Sequence, residues 1–457
     1  MQNAETLRSY SRLHETRPRG IDRPLDADGV AHAFRRAARE QRRVTVRAAG
    51  RSFDEQALGD DLVLDVSRLD HIGAVDVEAA TITVGCGARW DRIVTETLAH
   101  GLVPHILVTT PGATAGGTVA GNCLSRSAPR YGHTGDHVRA LTVVTPCGER
   151  LHCSREKHDD VFRAVIGGLG FFGVVTDITF DLLRIGRGHR VKSTIERVEG
   201  LSPFAARLAT ESLAPGQDDA VYSVFSLRSP QRGAIFRSRY TEESATKPLH
   251  IYRPYAWYRP FVELSFLSSR LSNAFCHASY ALSFGRGPFV DDFHGYTFCM
   301  EANEVAKSRA DALGLRMTSM QVTYVVPLAG LVTFLEDAAC RFIDWDVYPS
   351  LLDCLYRPAS DYLLCASRGL PGFCVSFMFE GLHARKLQRL RTCLLRVADA
   401  CVVVGGRSYL VKNVVLAREH LRAMYGTAAR EAALLKQRLD PEGVIRNAFF
   451  DRVLPQE

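Results

Sequence analysis

The chain has 457 residues, 46% hydrophobic and 23% charged, a balance that allows two or three domains around a large core. Its net charge of +7 suits an anionic ligand, but the arginines form no stripe with interleaved aromatics, so nucleic-acid binding is not expected. Twelve cysteines contain no CxxC pair, Met1 to Gly20 lack an apolar signal core, and no run approaches about 18 apolar residues. The expectation is a cytoplasmic chain with reduced thiols, no metal site and no transmembrane segment.

Residues 26–42 carry apolar residues at helical spacing (Val30, Ala33, Phe34, Ala37). Arg43 to Ala48 reads as a strand that runs into the small turn Ala48-Ala49-Gly50, followed by Arg51 and Ser52. Such a turn lets backbone N–H groups approach an anion, or it is an ordinary strand-to-loop turn. "LVLDVSRL" and "ATITVGCG" alternate as half-buried strands, and "WDRIVTETLAHG" reads as a helix ending at Gly101. The next stretch, "TTPGATAGGTVAGN" at 109–122, holds four glycines, four threonines and three alanines. It has too few long side chains to build a core, so either a flat or phosphate-bearing ligand fills the space or the stretch is a flexible loop.

"HVRALTVVTPCGER" reads as a hairpin turning at Cys147-Gly148, and Asp159 to Val165 as a helix. "GLGFFG" at 168–173 matches the dinucleotide fingerprint in spacing only. It follows a helix and opens the strand "VVTDITFDLLRI", the reverse of the Rossmann order. From about 186 to 404 amphipathic and aromatic runs replace the glycine motifs, which marks a second α+β domain. In it the aromatic segment 250–289 reads as packed core helices, or as a surface for a lipid-linked or nucleoside substrate or a membrane. His294, Tyr296, Glu301, Gln321, Tyr324 and Cys365 read as strand residues able to face a ligand. The glycine texture returns with "VVVGGRSYLVKN" at 402–413, ahead of the helical run 416–439.

Three glycine-rich segments in this order, the turn with Arg51-Ser52, then Pro111 to Gly117, then Gly167 to Val175, carry a resemblance. With "RYGHTGDHVRALTVVTPCGE" they resemble the flavin domain of FAD-linked oxidases of the vanillyl-alcohol oxidase and p-cresol methylhydroxylase (PCMH) type. "AGRSF" and "GGRSYLVKN" are most similar to the decaprenylphosphoryl-ribose 2′-oxidase and aldonolactone-oxidase branch, and "KQRLDPEGVIRN" resembles the family's closing segment. The resemblance implies an α+β fold in three parts. An FAD-binding domain of two α+β subdomains spans 18–185, a substrate (cap) domain built on an antiparallel sheet spans 186–401, and a C-terminal segment, 402–457, returns to the FAD domain. It further implies that Arg47, Ala48, Ala49, Gly50, Arg51, Ser52 and Phe53 wrap the FAD diphosphate. Thr109, Thr114, Gly116, Gly117, Gly121 and Asn122 would line the pyrophosphate and flavin, and Gly173, Val174 and Val175 would meet the nucleotide. Tyr409 and Lys412 would sit at the flavin's reactive edge as the catalytic pair.

Several relatives attach the flavin covalently to a histidine at the position of Arg51, and some to a cysteine near 109–110. Arginine and threonine stand here instead, so non-covalent FAD is expected. The implied activity is oxidation of a secondary alcohol on a sugar, sugar-nucleotide or glycosylated natural product, with oxygen or another electron acceptor. Lys412, partly desolvated, would act as base or as a stabilising cation. Candidate substrate contacts are Arg126, Arg130, Tyr296, Gln321, Tyr324 and Asn413, the two arginines being either holders of an anionic group or solvated loop residues. Leu124 to Arg130 replace the branch's polar run, so its substrate contacts are not carried over. The alternatives are a flavin-dependent cyclising or C–C bond-forming oxidase of natural-product biosynthesis and a redox-inactive scaffold. Peripheral membrane contact stays open.

Overall fold

The computed structural model describes residues 5–186, 190–214, 218–227, 231–244, 271 and 288–454. The aromatic segment singled out at 250–289 lies almost wholly outside the described residues.

Among the described residues three larger sheets organise the fold, beside a two-stranded ribbon of Leu7–Arg8 with Glu15–Thr16. The first is small and parallel, with order β1-β3-β2: β1 (Gly20–Asp22), β2 (Val44–Arg47) and β3 (Leu62–Asp65). Helix α1 (Ala27–Arg39) covers it with Val30, Phe34 and Ala37, all at 0% exposure, the stripe that the helical spacing predicted. Its N-cap is Asp26, whose side chain accepts from Gly29 N–H. The second sheet is antiparallel, β4-β8-β6-β7, made of β4 (Thr81–Gly85), β6 (Val138–Val144), β7 (Arg150–Cys153) and β8 (Val174–Arg184). β5 (Leu102–Pro104) pairs along the far end of β8. Helices α2 (Trp90–Leu98), α3 (Ala115–Gly121) and α4 (Asp159–Val165) belong to this part of the chain.

Helix α3 occupies the small-residue stretch, where the sequence suggested a ligand loop and no helix. Seven residues with three glycines have little intrinsic helix propensity. Tertiary contacts hold it: Thr114 caps it by accepting from Gly117 N–H, and the buried Trp90 Nε1 donates to Thr118 Oγ1 at 2.7 Å. Asn122 closes it in the left-handed region at φ 39°.

The third sheet has eight strands, all antiparallel, in the order β12-β9-β11-β10-β14-β15-β13-β16. These are β9 (Arg190–Glu199), β10 (Ala220–Ser226), β11 (Arg232–Thr241), β12 (Phe289–Asp292), β13 (Ser319–Val326), β14 (Leu351–Arg357), β15 (Gly372–Glu380) and β16 (Arg407–Ser408). Helix α5 (Leu201–Leu213) packs on it through Phe204 against Phe225, centroids 4.4 Å apart. Short α6 (Phe293–Thr297) and α7 (Glu301–Ala312) follow β12. Helix α8 (Leu331–Asp344) packs through Phe334 against Tyr324 and through Phe342 against Phe377, at 5.6 and 5.1 Å. Beyond it lies α9 (Ala384–Val403). After β16, helices α10 (Arg418–Leu439) and α11 (Ala448–Val453) return to the first part of the chain. Between them Ile445 bridges Val44 in parallel, so the C-terminal segment adds a fourth partner to the first sheet. The whole is α+β, with the antiparallel sheet expected for the cap.

Several strand assignments needed correction. His294 and Tyr296 lie in α6, which Asp292 caps, Glu301 opens α7, and Cys365 sits in a turn between β14 and β15. Tyr324 is on a strand, but its ring packs on α8 at 1% exposure, away from the first two sheets.

Candidate active site

A cavity of about 250 Å³ opens where the small-residue segments converge. Its walls come from residues 48–53, 108–110, the stretch 113–121 (without Ala115 and Val119), the stretch 169–175 (without Phe171) and the tail residues Tyr409, Val411 and Lys412. The cavity thus draws together Ala48, Ala49, Gly50, Arg51, Ser52, Phe53, Thr109, Thr114, Gly116, Gly117, Gly121, Gly173, Val174 and Val175. Arg47 and Asn122 do not line it. Arg47 is turned back to the carbonyls of Ala57 and Arg8, at 3.2 and 3.1 Å. Asn122, at 0% exposure, bonds Gly135 N–H through Oδ1 at 3.2 Å and points Nδ2 at Cys365 Sγ.

The glycines serve two purposes. At Gly50 the positive φ of +64° favours glycine, whereas at Gly116 a Cβ would lie 2.5 Å from Cys86 Cβ and 2.9 Å from Cys86 O, so that glycine keeps two backbone segments in contact. At Gly170 a Cβ would meet only Val46, at 3.6 Å, and at Gly117 only Thr114 Oγ1, at 3.1 Å. There the wall is backbone facing open space, a shape that fits a flat, phosphate-bearing molecule.

The tail is pinned into this wall by three side chains, of which sequence reasoning missed Gln56. Buried Gln56 donates through Nε2 to the carbonyls of Leu410 and Lys412, at 2.8 and 3.0 Å. Asn413, a proposed substrate contact, is structural instead: its Nδ2 donates to Phe53 O at 3.1 Å and its Oδ1 accepts from Gln321 N–H at 2.9 Å. Tyr409 donates its hydroxyl to Gly121 O at 3.0 Å. Burial also pushes its pKa well above the usual tyrosine value, so the phenol keeps its proton and positions the turn.

Lys412 differs. Its Nζ lies 4.4 Å above the Phe53 ring, and burial lowers its pKa against the attraction of Cys123 and Asp353. Asp353 shows the opposite shift: burial pushes its carboxyl up to about 6 although Lys412, a Ser376 hydrogen bond and Arg126 favour the charged form. Arg126 is enclosed rather than solvated. It sits 4.2 Å over the Tyr222 ring and donates to Cys299 Sγ at 2.8 Å. Beside it a second cavity of about 40 Å³ is lined by Arg126 and Tyr296. Arg130, by contrast, pairs with Asp219 at 2.8 Å on the surface.

Arg51 reaches across to the cap, its Nε 2.8 Å from Glu304 Oε1 on α7. Among the described residues no histidine lines the larger cavity, while Cys86 and Cys123 do. Burial holds both thiols protonated, Cys86 at about 12, which leaves them poor nucleophiles.

Comparison with known proteins meets this geometry at its centre. A family described as the FAD binding domain matches residues 18–154, which carry three of the cavity's walls. Residues 18–154 carry an FAD-binding domain. Over 160 residues it is 34% identical to an uncharacterized oxidoreductase of the fasciation locus in Rhodococcoides fascians, covering 35% of this chain and 36% of that protein. It is 36% identical over 141 residues to cytokinin dehydrogenase 2 of Oryza sativa subsp. japonica (29% and 25% covered). It is 31% identical over 160 residues to decaprenylphosphoryl-beta-D-ribose oxidase of Mycolicibacterium smegmatis (34% and 35% covered). The matches thus span about a third or less of these relatives' lengths. FAD is the cofactor of this domain.

Proposed function

We propose that this protein is an FAD-dependent oxidoreductase that oxidises a secondary alcohol of a sugar, sugar-nucleotide or glycosylated natural product. The observation that carries the reading is Lys412, a lysine drawn into the wall of the cofactor cavity over Phe53, with its charge disfavoured by burial. Desolvation of that kind is costly, and proteins retain it where the group has chemical work. Bound FAD supplies a two-electron acceptor for a substrate hydride. The chain's own part is positional and electrostatic. Gln56 and Tyr409 fix the turn that carries Lys412, and the Lys412 ammonium stabilises negative charge developing on a substrate oxygen. Arg126, held as a cation by Cys299, Tyr222 and Tyr296 against the cost of burial, favours a substrate with an anionic group.

The match to cytokinin dehydrogenases keeps an amine substrate as the competing case. The test is anaerobic mixing of the FAD-loaded protein with sugars, sugar nucleotides and a cytokinin, following loss of oxidised-flavin absorbance. Bleaching by a sugar and not by the cytokinin supports the proposal; the reverse overturns it. Lys412→Ala is expected to retain FAD and lose substrate-driven bleaching by about 10²-fold or more. Bleaching at the wild-type rate would remove Lys412 from the chemistry.

A further inference from the structure

The smaller cavity, of about 40 Å³, is a space that the reading above leaves without an occupant. β5, the segment after it and the loop after α3 contribute some of its walls, and β9, β11, α6 and the start of β10 contribute the rest. Thr109 lines both cavities, and the chain passes from Leu124 on the wall of the larger to Arg126 on the wall of the smaller. The two spaces therefore adjoin. At roughly 10–15 Å³ per water-sized occupant the smaller one holds about three, the size of a carboxylate or of the outer oxygens of a phosphate.

Among its lining residues Arg126 is the cation. Its main-chain carbonyl accepts from Val221 N–H of β10 at 3.0 Å, its Nη1 donates to Tyr296 O at 3.4 Å and its Nη2 to Cys299 Sγ at 2.8 Å. These bonds use two of the five N–H groups a guanidinium offers, and among the described residues none goes to a carboxylate. The other titratable groups of the wall leave that charge unmatched. Asp219 is committed elsewhere: its Oδ1 accepts from Arg130 at 2.8 Å and from the Tyr131 hydroxyl at 2.7 Å, and its Oδ2 from Tyr240 N–H at 2.8 Å. His105 stacks on His137 with ring centroids 3.9 Å apart, and burial together with that neighbouring ring pulls its pKa down to about 4, which leaves it neutral. The Tyr296 hydroxyl is buried. Its neighbour Ser238 is engaged by Ser193 at 2.9 Å, and the Tyr296 hydroxyl makes no hydrogen bond of acceptable geometry among the described residues. A buried donor without an acceptor is destabilising, and a ligand oxygen would satisfy it.

We propose that the smaller cavity seats the anionic group of the substrate, a carboxylate or a phosphate held by the Arg126 guanidinium and the Tyr296 hydroxyl, while the alcohol to be oxidised lies beyond Thr109 in the larger cavity. The proposal rests on the alcohol-oxidation reading above and narrows it to acidic sugars and sugar phosphates. A planar fork of N–H groups matches two oxygens of either anion, whereas a neutral sugar leaves the guanidinium without a counter-charge. The bonds to Val221 and Tyr296 hold the arginine in place before any substrate arrives. A contact made equally before and during the reaction tightens binding without speeding the chemical step, so the selectivity belongs in half-saturation more than in turnover.

The experiment uses the FAD-loaded full chain, in which a vacant cofactor site cannot take up the anion, as wild type, Arg126→Lys and Tyr296→Phe. Inorganic phosphate and acetate are titrated by calorimetry at constant ionic strength. Wild type is expected to bind at least one of them saturably, and the tighter of the two identifies the group the substrate carries. Tyr296→Phe is expected to weaken that binding by about 10-fold or more with the ligand-free melting temperature unchanged or raised, and Arg126→Lys to weaken it by at least as much. A hydroxyl that served only the fold would instead lower the melting temperature and leave the anion's affinity alone. With an acidic sugar or sugar phosphate that bleaches wild type, half-saturation should rise by about 10-fold in either variant, more than the saturating rate falls. No saturable anion binding, or binding that both variants leave within about twofold, overturns the subsite whatever the flavin does. Anion binding that both variants weaken, in a protein that no alcohol bleaches, supports the subsite and overturns the alcohol-oxidation reading alone.

Discussion

At the scale of single residues, the cavity depends on atoms that are missing. Gly116 N–H donates to Cys86 O at 2.8 Å, and a methyl group there would press on the Cβ, O and Cα of Cys86 at 2.5 to 3.1 Å. Two backbone segments would have to separate, so Gly116→Ala is expected to cost about 1–3 kcal/mol and to weaken FAD binding, read by thermal melting and flavin titration. Asp353 makes the opposite kind of statement. Its folded pKa, about 6, lies above the usual carboxylate range, so between the two the folded state binds the extra proton. Stability therefore falls as pH rises from about 4 to 6, by an amount on the order of 1–3 kcal/mol. Asp353→Asn should flatten that part of the profile and raise the melting temperature at neutral pH, the expected signature of a residue kept at a cost to stability.

Single residues also mark where the sequence was legible. Gly50, Gly116 and Gly173 stood out because glycine clusters are rare and their spacing carries the motif. Asp353 did not, because one acidic residue in "LLDCLYR" carries no pattern until strand register sets its face. Arg357 was equally silent. It is 1% exposed and donates to His133 Nδ1 and Asn122 O, more than 200 residues away in sequence, and to the nearby Cys365 Sγ. Asn122 and Arg47 carried the motif's identity but use their side chains to brace the turn behind the wall.

At the scale of elements, helix α7 joins cap to cofactor domain through three side chains on one face. Glu304 meets Arg51, Asp311 meets Arg12, and Lys307 donates to Tyr10 O at 3.0 Å and Ser319 Oγ at 2.9 Å while lying 3.9 Å over the Tyr10 ring. Burial lowers the Lys307 pKa and raises that of nearby Glu380, each partly restored by the other. Lys307→Met keeps the aliphatic stem and removes both hydrogen bonds. It should lower stability by about 1–3 kcal/mol with the flavin spectrum unchanged, measured by denaturant unfolding of the FAD-loaded protein. A change of spectrum would place α7 nearer to the flavin than this account does. Strand β13 explains why Tyr324 was read onto the wrong side. All eight of its residues are buried, so alternation could not distinguish the face against α8 from the face against the FAD domain. Helix α3 escaped notice for the reverse reason: its stability comes from Trp90 and the Thr114 cap, and its own composition argues against a helix.

At the scale of the whole molecule, the larger cavity is a meeting of distant segments, and FAD bound there should hold them together. Ligand at about 100 times its Kd should add roughly 2.7 kcal/mol to stability, which a melt with and without FAD will read. With Arg51, Thr109 and Thr110 on the cavity wall, no histidine lining it among the described residues, and Cys86 and Cys123 protonated, acid precipitation should release all the yellow colour to the supernatant. Colour retained in the pellet would identify a covalent bond, with Cys123 the first residue to test by mass spectrometry. Among the described residues no helix is long and apolar enough to cross a membrane.

The bridge between Val44 and Ile445 has a consequence for how the protein is made. Val44 N–H donates to Val444 O at 2.7 Å and Arg446 N–H donates back to Val44 O at 3.1 Å, so the first sheet stays unfinished until about 400 residues after Val44 have been made. The wall formed by Tyr409 and Lys412 arrives equally late. Early segments can collapse around α1 as they emerge, but they present a half-built cleft with a bare strand edge. A chain cut before residue 409 is therefore expected to bind flavin more weakly than the full chain, which a flavin titration of the two will read.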